Sequence, residues 1–148
     1  MRPTFNVTVQ AIITDEEDRI LLCLRHDYNV WNLPGWGLES GESPWEGVLR
    51  EVKEETGLDA EVTRLVAMYS KPDKDEMVFL FTCKVLWGEL TLNDEAKDIQ
   101  YFSRDALPEN TVPKQIERIE DYFSGQTETL LKIQGGKSTK ERIKEGKL

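Results

Sequence analysis

The chain has little with which to bind zinc or build a disulfide framework. It carries two cysteines, Cys23 and Cys83, and one histidine, His26. Both cysteines sit in strand-like apolar runs, where a reduced thiol behaves as a small buried hydrophobe. Long apolar stretches are also missing. The longest runs, at 20–24 and 77–81, fall far short of the ~20 residues that span a bilayer. The first residues, Met1-Arg2-Pro3-Thr4-Phe5, form no apolar leader, which points to a cytoplasmic protein. Positive charge is the third shortage: 19 Lys and Arg stand against 28 Asp and Glu, a net charge of −9. That balance excludes a protein whose work is to coat long nucleic acid, which needs a basic face. It would also repel any phosphate-bearing ligand unless cations intervene.

What is present suits one folded domain. At 148 residues the chain can bury a core without staples, and an aromatic content of 9% argues against disorder. The scarce basic residues are unevenly placed. Lys132, Lys137, Lys140, Arg142, Lys144 and Lys147 crowd the last 17 residues, opposed there only by Glu141 and Glu145. We therefore expect a domain over 1–124 and a basic tail over 125–148. Ser138-Thr139-Lys140-Glu141 has the spacing of a capping box, which predicts a short helix over 139–145. Alone it is too short to persist in water, so it should dock on the acidic body, its own or that of a second copy in a homodimer.

Alternation predicts a strand over 5–13, and an apolar run predicts another over 19–25, joined by the turn Asp15-Glu16-Glu17-Asp18 as a hairpin. A loop follows, punctuated by Pro34, Gly35, Gly37 and Gly41. Ser43-Pro44-Trp45-Glu46 opens a helix with a cap, a proline at the first position and a capping-box glutamate. Gly57 is placed to end it. Strands over 60–69, 77–87 and 98–102 come next. A second helix over 113–123 sets Ile116, Ile119 and Phe123 on one face. This order describes a mixed α/β fold.

The chemistry concentrates between Trp36 and Leu58, a stretch with six glutamates. Glu51, Glu54 and Glu55 recur at i, i+3 and i+4 and so share one helix face. Like charges at that spacing destabilise a helix by ~0.2–0.5 kcal/mol per pair. Oxygen donors without histidine or cysteine suit a hard divalent cation such as Mg²⁺ rather than zinc. Taken alone, the same three residues describe an ordinary solvated face.

The wider spacing carries more information. Glu42, followed after seven residues by Arg50-Glu51-Val52-Lys53-Glu54-Glu55-Thr56-Gly57-Leu58, resembles the signature of the Nudix (MutT-like) hydrolases, and the likeness extends over about 1–124. One position departs: Trp36 stands where that signature begins with glycine.

The resemblance implies an α/β/α sandwich around a mixed sheet. It implies hydrolysis of a nucleoside diphosphate linked to another moiety, a nucleotide sugar such as ADP-ribose, a nucleoside triphosphate or a dinucleoside polyphosphate, with Mg²⁺ or Mn²⁺ as cofactor. The metal ligands it implies are Glu51, Glu54, Glu55 and the Gly35 carbonyl, with an Arg50–Glu42 ion pair as scaffold. The catalytic group is then Arg50, Glu54 and Glu95, with Glu95 the first candidate for the base and Glu54 and Asp98 its rivals. Arg25 is placed to reach substrate phosphate, and Tyr28, Trp31 and Trp36 to stack on a base, while His26 reads as a solvated loop residue. The partner is a small nucleotide, with neither membrane nor long nucleic acid involved. The competing reading is a non-catalytic nucleotide-binding or regulatory module of the same fold, its loop altered by Trp36.

Overall fold

A computed structural model describes residues 2–146. Met1 and the last two tail residues, Lys147 and Leu148, lie outside the described residues. The strands are β1 (Asn6–Ile12), β2 (Ile20–Arg25), β3 (Trp31–Asn32), β4 (Asp59–Lys71), β5 (Glu76–Trp87), β6 (Ala96–Phe102) and β7 (Leu130–Ile133). The helices are α1 (Pro44–Thr56), α2 (Pro113–Phe123) and α3 (Thr139–Lys144).

Strands β1 and β2 do not form the expected hairpin. They meet at the turn, where the Leu21 N–H donates to the Ile13 carbonyl at 3.0 Å, and then enter different sheets. The reason lies in burial. Val9 to Ile13 and Ile20 to Cys23 are buried without a break, so both faces of each strand are covered, whereas a surface hairpin keeps one face in water.

Strand β1 runs parallel to β5, β5 antiparallel to β4, and β4 parallel to β7, giving the mixed order β1-β5-β4-β7. Strands β3, β2 and β6 make a smaller antiparallel sheet. Two apolar clusters fill the space between layers. Val9, Ala11, Ile13, Leu21 and Cys23 pack with Val48 and Val52 of α1. Ile12, Ile20 and Leu22, of opposite parity, pack with Tyr69, Leu80 and Ile119 of α2. Each helix covers one side, and the result is the α/β/α arrangement around a mixed sheet.

Helix α1 starts as its sequence dictates. Ser43 Oγ accepts from the Glu46 N–H at 3.2 Å, and the Glu46 carboxylate accepts from the Ser43 N–H at 3.2 Å. Gly57 ends the helix at φ 81°. Fully burying Val48 and Val52 contributes about 1.5–3 kcal/mol each. Helix α2 differs from expectation, because its buried face includes Gln115 and Arg118 beside Ile119.

The sheet continues past residue 124, since β7 pairs Ala67↔Leu130 through Ser70↔Ile133. Helix α3 forms with both capping-box bonds present. The segment is tied to the body through Lys132 on Asp121 (3.0 Å) and Glu117 (3.2 Å), and through Glu141 on Lys74 (3.1 Å). The first contact has the expected polarity. In the second it is the helix that supplies the acid. Among the described residues no helix is long and apolar enough to cross a membrane.

Candidate active site

One face of α1 forms the floor of a cleft of ≈ 550 Å³, lined by Arg25, His26, Asp27, Asn32, Trp36, Gly37, Glu39, Arg50, Glu51, Glu54, Glu55, Asp94 and Glu95, with Cys23 beneath. Arg50 organises it. Its Nε and Nη2 grip Glu42 at 3.0 and 2.7 Å, while Nη1 donates to Glu51 at 3.1 Å and to Glu54 at 3.0 Å. A planar guanidinium can hold carboxylates on two sides, which a lysine cannot. Glu42 is held down at about 2, chiefly by its hydrogen bonds from Arg50. Gly47 permits the close approach, because a Cβ there would stand 2.4 Å from Leu38 Cδ1 and 2.9 Å from Glu42 Oε1.

Glu55 has no such counter-charge. Its Oε2 accepts from the Gly35 N–H at 2.9 Å, yet burial, with Glu51 and Glu95 adding repulsion, pushes it up to about 8. Glu51, 6% exposed, is also raised, by burial first. Gly35 thus meets the helix through its N–H.

The glycine that this loop requires is Gly35. It has φ +131°, and a Cβ there would lie 2.0 Å from the Val9 carbonyl oxygen. Trp36, one residue on, is not among the positive-φ positions. Its carbonyl accepts from the Val9 N–H at 2.9 Å, and its ring is 51% exposed. The departure from the signature therefore leaves the loop path intact.

The opposite wall comes from the turn before β6. Asn93 donates its amide to the Glu54 and Glu55 carbonyls at 2.7 and 2.8 Å, and its Oδ1 accepts from the Glu95 N–H at 2.7 Å. This residue pins the Glu95 turn to the end of α1. It escaped the sequence reading, and an asparagine two positions before an acid in a turn is the only local signal it offers. Asp98 does not reach the cleft. It is occupied by the Ile99 N–H and the Gln100 amide.

Arg25 stacks on Trp36 at 4.3 Å and lies 5.3 Å from the Tyr28 ring centre, with Asp27 on its Nε at 2.9 Å. His26 lines the rim and is exposed. Trp31 is no candidate for stacking, because it is buried edge-on against Phe102 at 4.8 Å. Tyr28 lines a second cleft, also ≈ 550 Å³, which shares Arg25, Asn32, Trp36 and Gly37 with the first. Asn32, also missed, is 4% exposed, and its Oδ1 has no hydrogen-bond partner among the described residues.

Among the described residues, no three histidine, cysteine or acidic side chains are arranged to chelate a metal ion. Arg50 holds two of the glutamates instead. The chemistry of the donors nevertheless fits a hard divalent cation: they are carboxylate oxygens, one buried at Glu51 and one at Glu55 half-buried with no arginine or lysine in contact among the described residues. Burial pushes the Cys23 thiol well up, so it stays a neutral core group. Cys83 is likewise buried, its thiol pushed up to about 12.

Comparison with known proteins agrees with this geometry. The NUDIX domain model matches residues 4–122. A MutT-like protein of Streptomyces ambofaciens is 32% identical over 123 residues, covering 83% of this chain and 80% of that one. An ADP-ribose pyrophosphatase of Methanocaldococcus jannaschii is 38% identical over 110 residues, covering 69% of this chain and 64% of that one. Among solved structures, an ADP-ribose pyrophosphatase of Streptococcus suis superposes with a TM-score of 0.73 at 32% identity, covering 86% of this chain and 99% of that one.

Proposed function

The chain belongs to the Nudix family of pyrophosphohydrolases, and on that premise we propose that it hydrolyses a nucleoside diphosphate linked to another moiety, with Mg²⁺ as cofactor. A nucleotide sugar such as ADP-ribose and a nucleoside triphosphate are the substrate classes in view. The observation that carries this reading is the convergence of Glu51, Glu54, Glu55 and Glu95 on one cleft around a single arginine.

Glu51, Glu54 and Glu55 are the residues that would hold the cation. When bound, it neutralises the pyrophosphate and acidifies the attacking water. The chain's own residues supply position and proton transfer. Arg50, clamped by Glu42, keeps Glu51 and Glu54 on one side of the cleft. The Gly35 N–H orients Glu55. Glu95, exposed on a turn that Asn93 immobilises, takes the water proton, with Glu54 the second candidate. Arg25 can turn a fork toward a phosphate oxygen on leaving Asp27. Trp36 keeps that arginine at the cleft edge through its ring.

The competing reading, a binding module without catalysis, requires Trp36 to spoil the loop. Its ordinary backbone and exposed ring count against that. The test is a panel of nucleotides incubated with Mg²⁺, with products separated by chromatography. We expect a nucleoside monophosphate and a phosphorylated second product, no turnover in EDTA, and a rate at least ~10²-fold lower in Glu55→Gln. Full activity in EDTA, or in Glu55→Gln, would overturn the proposal.

A further inference from the structure

The second cleft is cationic in a chain whose net charge is −9. Arg25, Lys71, Lys114, Arg118 and Lys140 line it, and Glu76 is its one acidic wall residue. Glu76 is taken by Lys71 at 3.1 Å. Lys114, Arg118 and Lys140 have no ion-pair partner among the described residues.

Arg118 is the most telling of these. It is 3% exposed, and its guanidinium donates only to neutral amide oxygens, Gln10 at 2.7 Å and Gln134 at 2.9 Å. A buried cation with no carboxylate in contact is expensive, a cost that the field of Tyr69, Glu76 and Glu117 offsets in part. Bridging β1 to the 134 segment accounts for those bonds. It does not account for Lys114 and Lys140 on the same cavity. Lys114 is held below the ordinary lysine range by burial first and then by repulsion from Lys71, Arg118 and Arg142, which Asp73 offsets only in part. Lys140 leans over the Tyr28 ring at 5.6 Å, and Ser138 completes that wall. Such mutual repulsion is what an anion would relieve.

The two clefts are continuous across Arg25, Asn32, Trp36 and Gly37. Asn32 lies beneath that seam, lining both clefts. We propose that the second cleft is a subsite for a phosphate monoester carried on the far end of the substrate whose pyrophosphate lies in the first cleft, with α3 as its outer wall. This rests on the pyrophosphohydrolase reading above. It narrows the substrate class to nucleoside diphosphate derivatives that carry an additional phosphate, and it gives the basic tail a part in recognition.

Matched pairs that differ by one phosphate test this: ADP-ribose against its 2′-phosphate, and dephospho-coenzyme A against coenzyme A, each assayed with Mg²⁺ and the full chain. We expect kcat/KM at least about ten-fold higher for the phosphorylated member of a pair, expressed in KM. In Lys114→Glu and in Lys140→Glu the ratio should fall to about one, with the melting temperature of each variant checking the fold. Ratios within two-fold for both pairs in the wild type, or a preference that survives both charge reversals, would overturn the subsite while leaving the hydrolase reading in place. If no member is hydrolysed, the nucleotide panel above decides the hydrolase reading, and calorimetry decides the subsite. Adenosine 3′,5′-bisphosphate should then bind the metal-free protein at least about ten-fold tighter than AMP, and Lys114→Glu should erase the difference. Equal affinities would overturn the proposal.

Discussion

The half-buried carboxylate at Glu55 makes the metal-free protein sensitive to pH in a defined direction. Folding lifts this group from an ordinary 4.5 to about 8, chiefly by burial. Below 4.5 it is protonated in both folded and unfolded chains, and its contribution to stability is complete. As the pH rises from 4.5 through 8 the unfolded chain releases the proton first, so that contribution is lost; above 8 no further change comes from this group. A shift of that size corresponds to about 4–5 kcal/mol at most. Glu51, raised for the same reason, acts in the same sense. Urea unfolding in EDTA between pH 5 and 9 should therefore show stability falling across the window. Glu55→Gln, which cannot ionise, should flatten most of the fall. Added Mg²⁺ should stabilise the wild type more at pH 8.5 than at pH 5.5, with proton release on binding in the lower part of the window. A wild-type profile that is flat, or that matches Glu55→Gln point for point, would refute the assignment of Glu55 as a half-buried, uncompensated carboxylate.

Gly35→Ala should destabilise the protein by about 2 kcal/mol or more in thermal melts, since it combines a positive φ with backbone overlap at Val9. Trp36→Gly should stay within about 1 kcal/mol of wild type in the same melts and keep its Mg²⁺ affinity. Arg50→Lys should lower kcat/KM by about 10²-fold, because one ammonium cannot hold Glu42, Glu51 and Glu54 together; steady-state kinetics at saturating Mg²⁺ will measure it. Asn93→Ala should lower kcat with little change in KM and speed amide exchange at 93–96, because the Glu95 turn loses its tie to the Glu54 and Glu55 carbonyls.

Helix α1 and its acidic face were legible from sequence because every determinant sits within a few residues: the Ser43–Glu46 box, Pro44, Gly57, and glutamates spaced by the helical repeat. The Arg50–Glu42 pair was legible for a related reason, its spacing within the signature. The helix over 139–145 was also visible, since a capping box is local; the structure places it at Thr139–Lys144. Other features depended on chain path. Alternation identified β1 and an apolar run identified β2 as strands, but only three-dimensional packing separates them into two sheets, because the covering of both faces from Val9 and from Ile20 onward comes from distant segments. Gly35, rather than the position of Trp36, carries the backbone constraint, since the constraint is the approach of β1, which the local sequence does not contain. Asn93 and Asn32 matter through partners, or the lack of one, far along the chain. Arg118 meets Gln10, 108 positions away, inside a cationic cavity. Hydrogen bonds within one turn and helical periodicity are written in short windows. Charge brought together by folding, and the burial that gives it consequence, arise only when distant segments close around it.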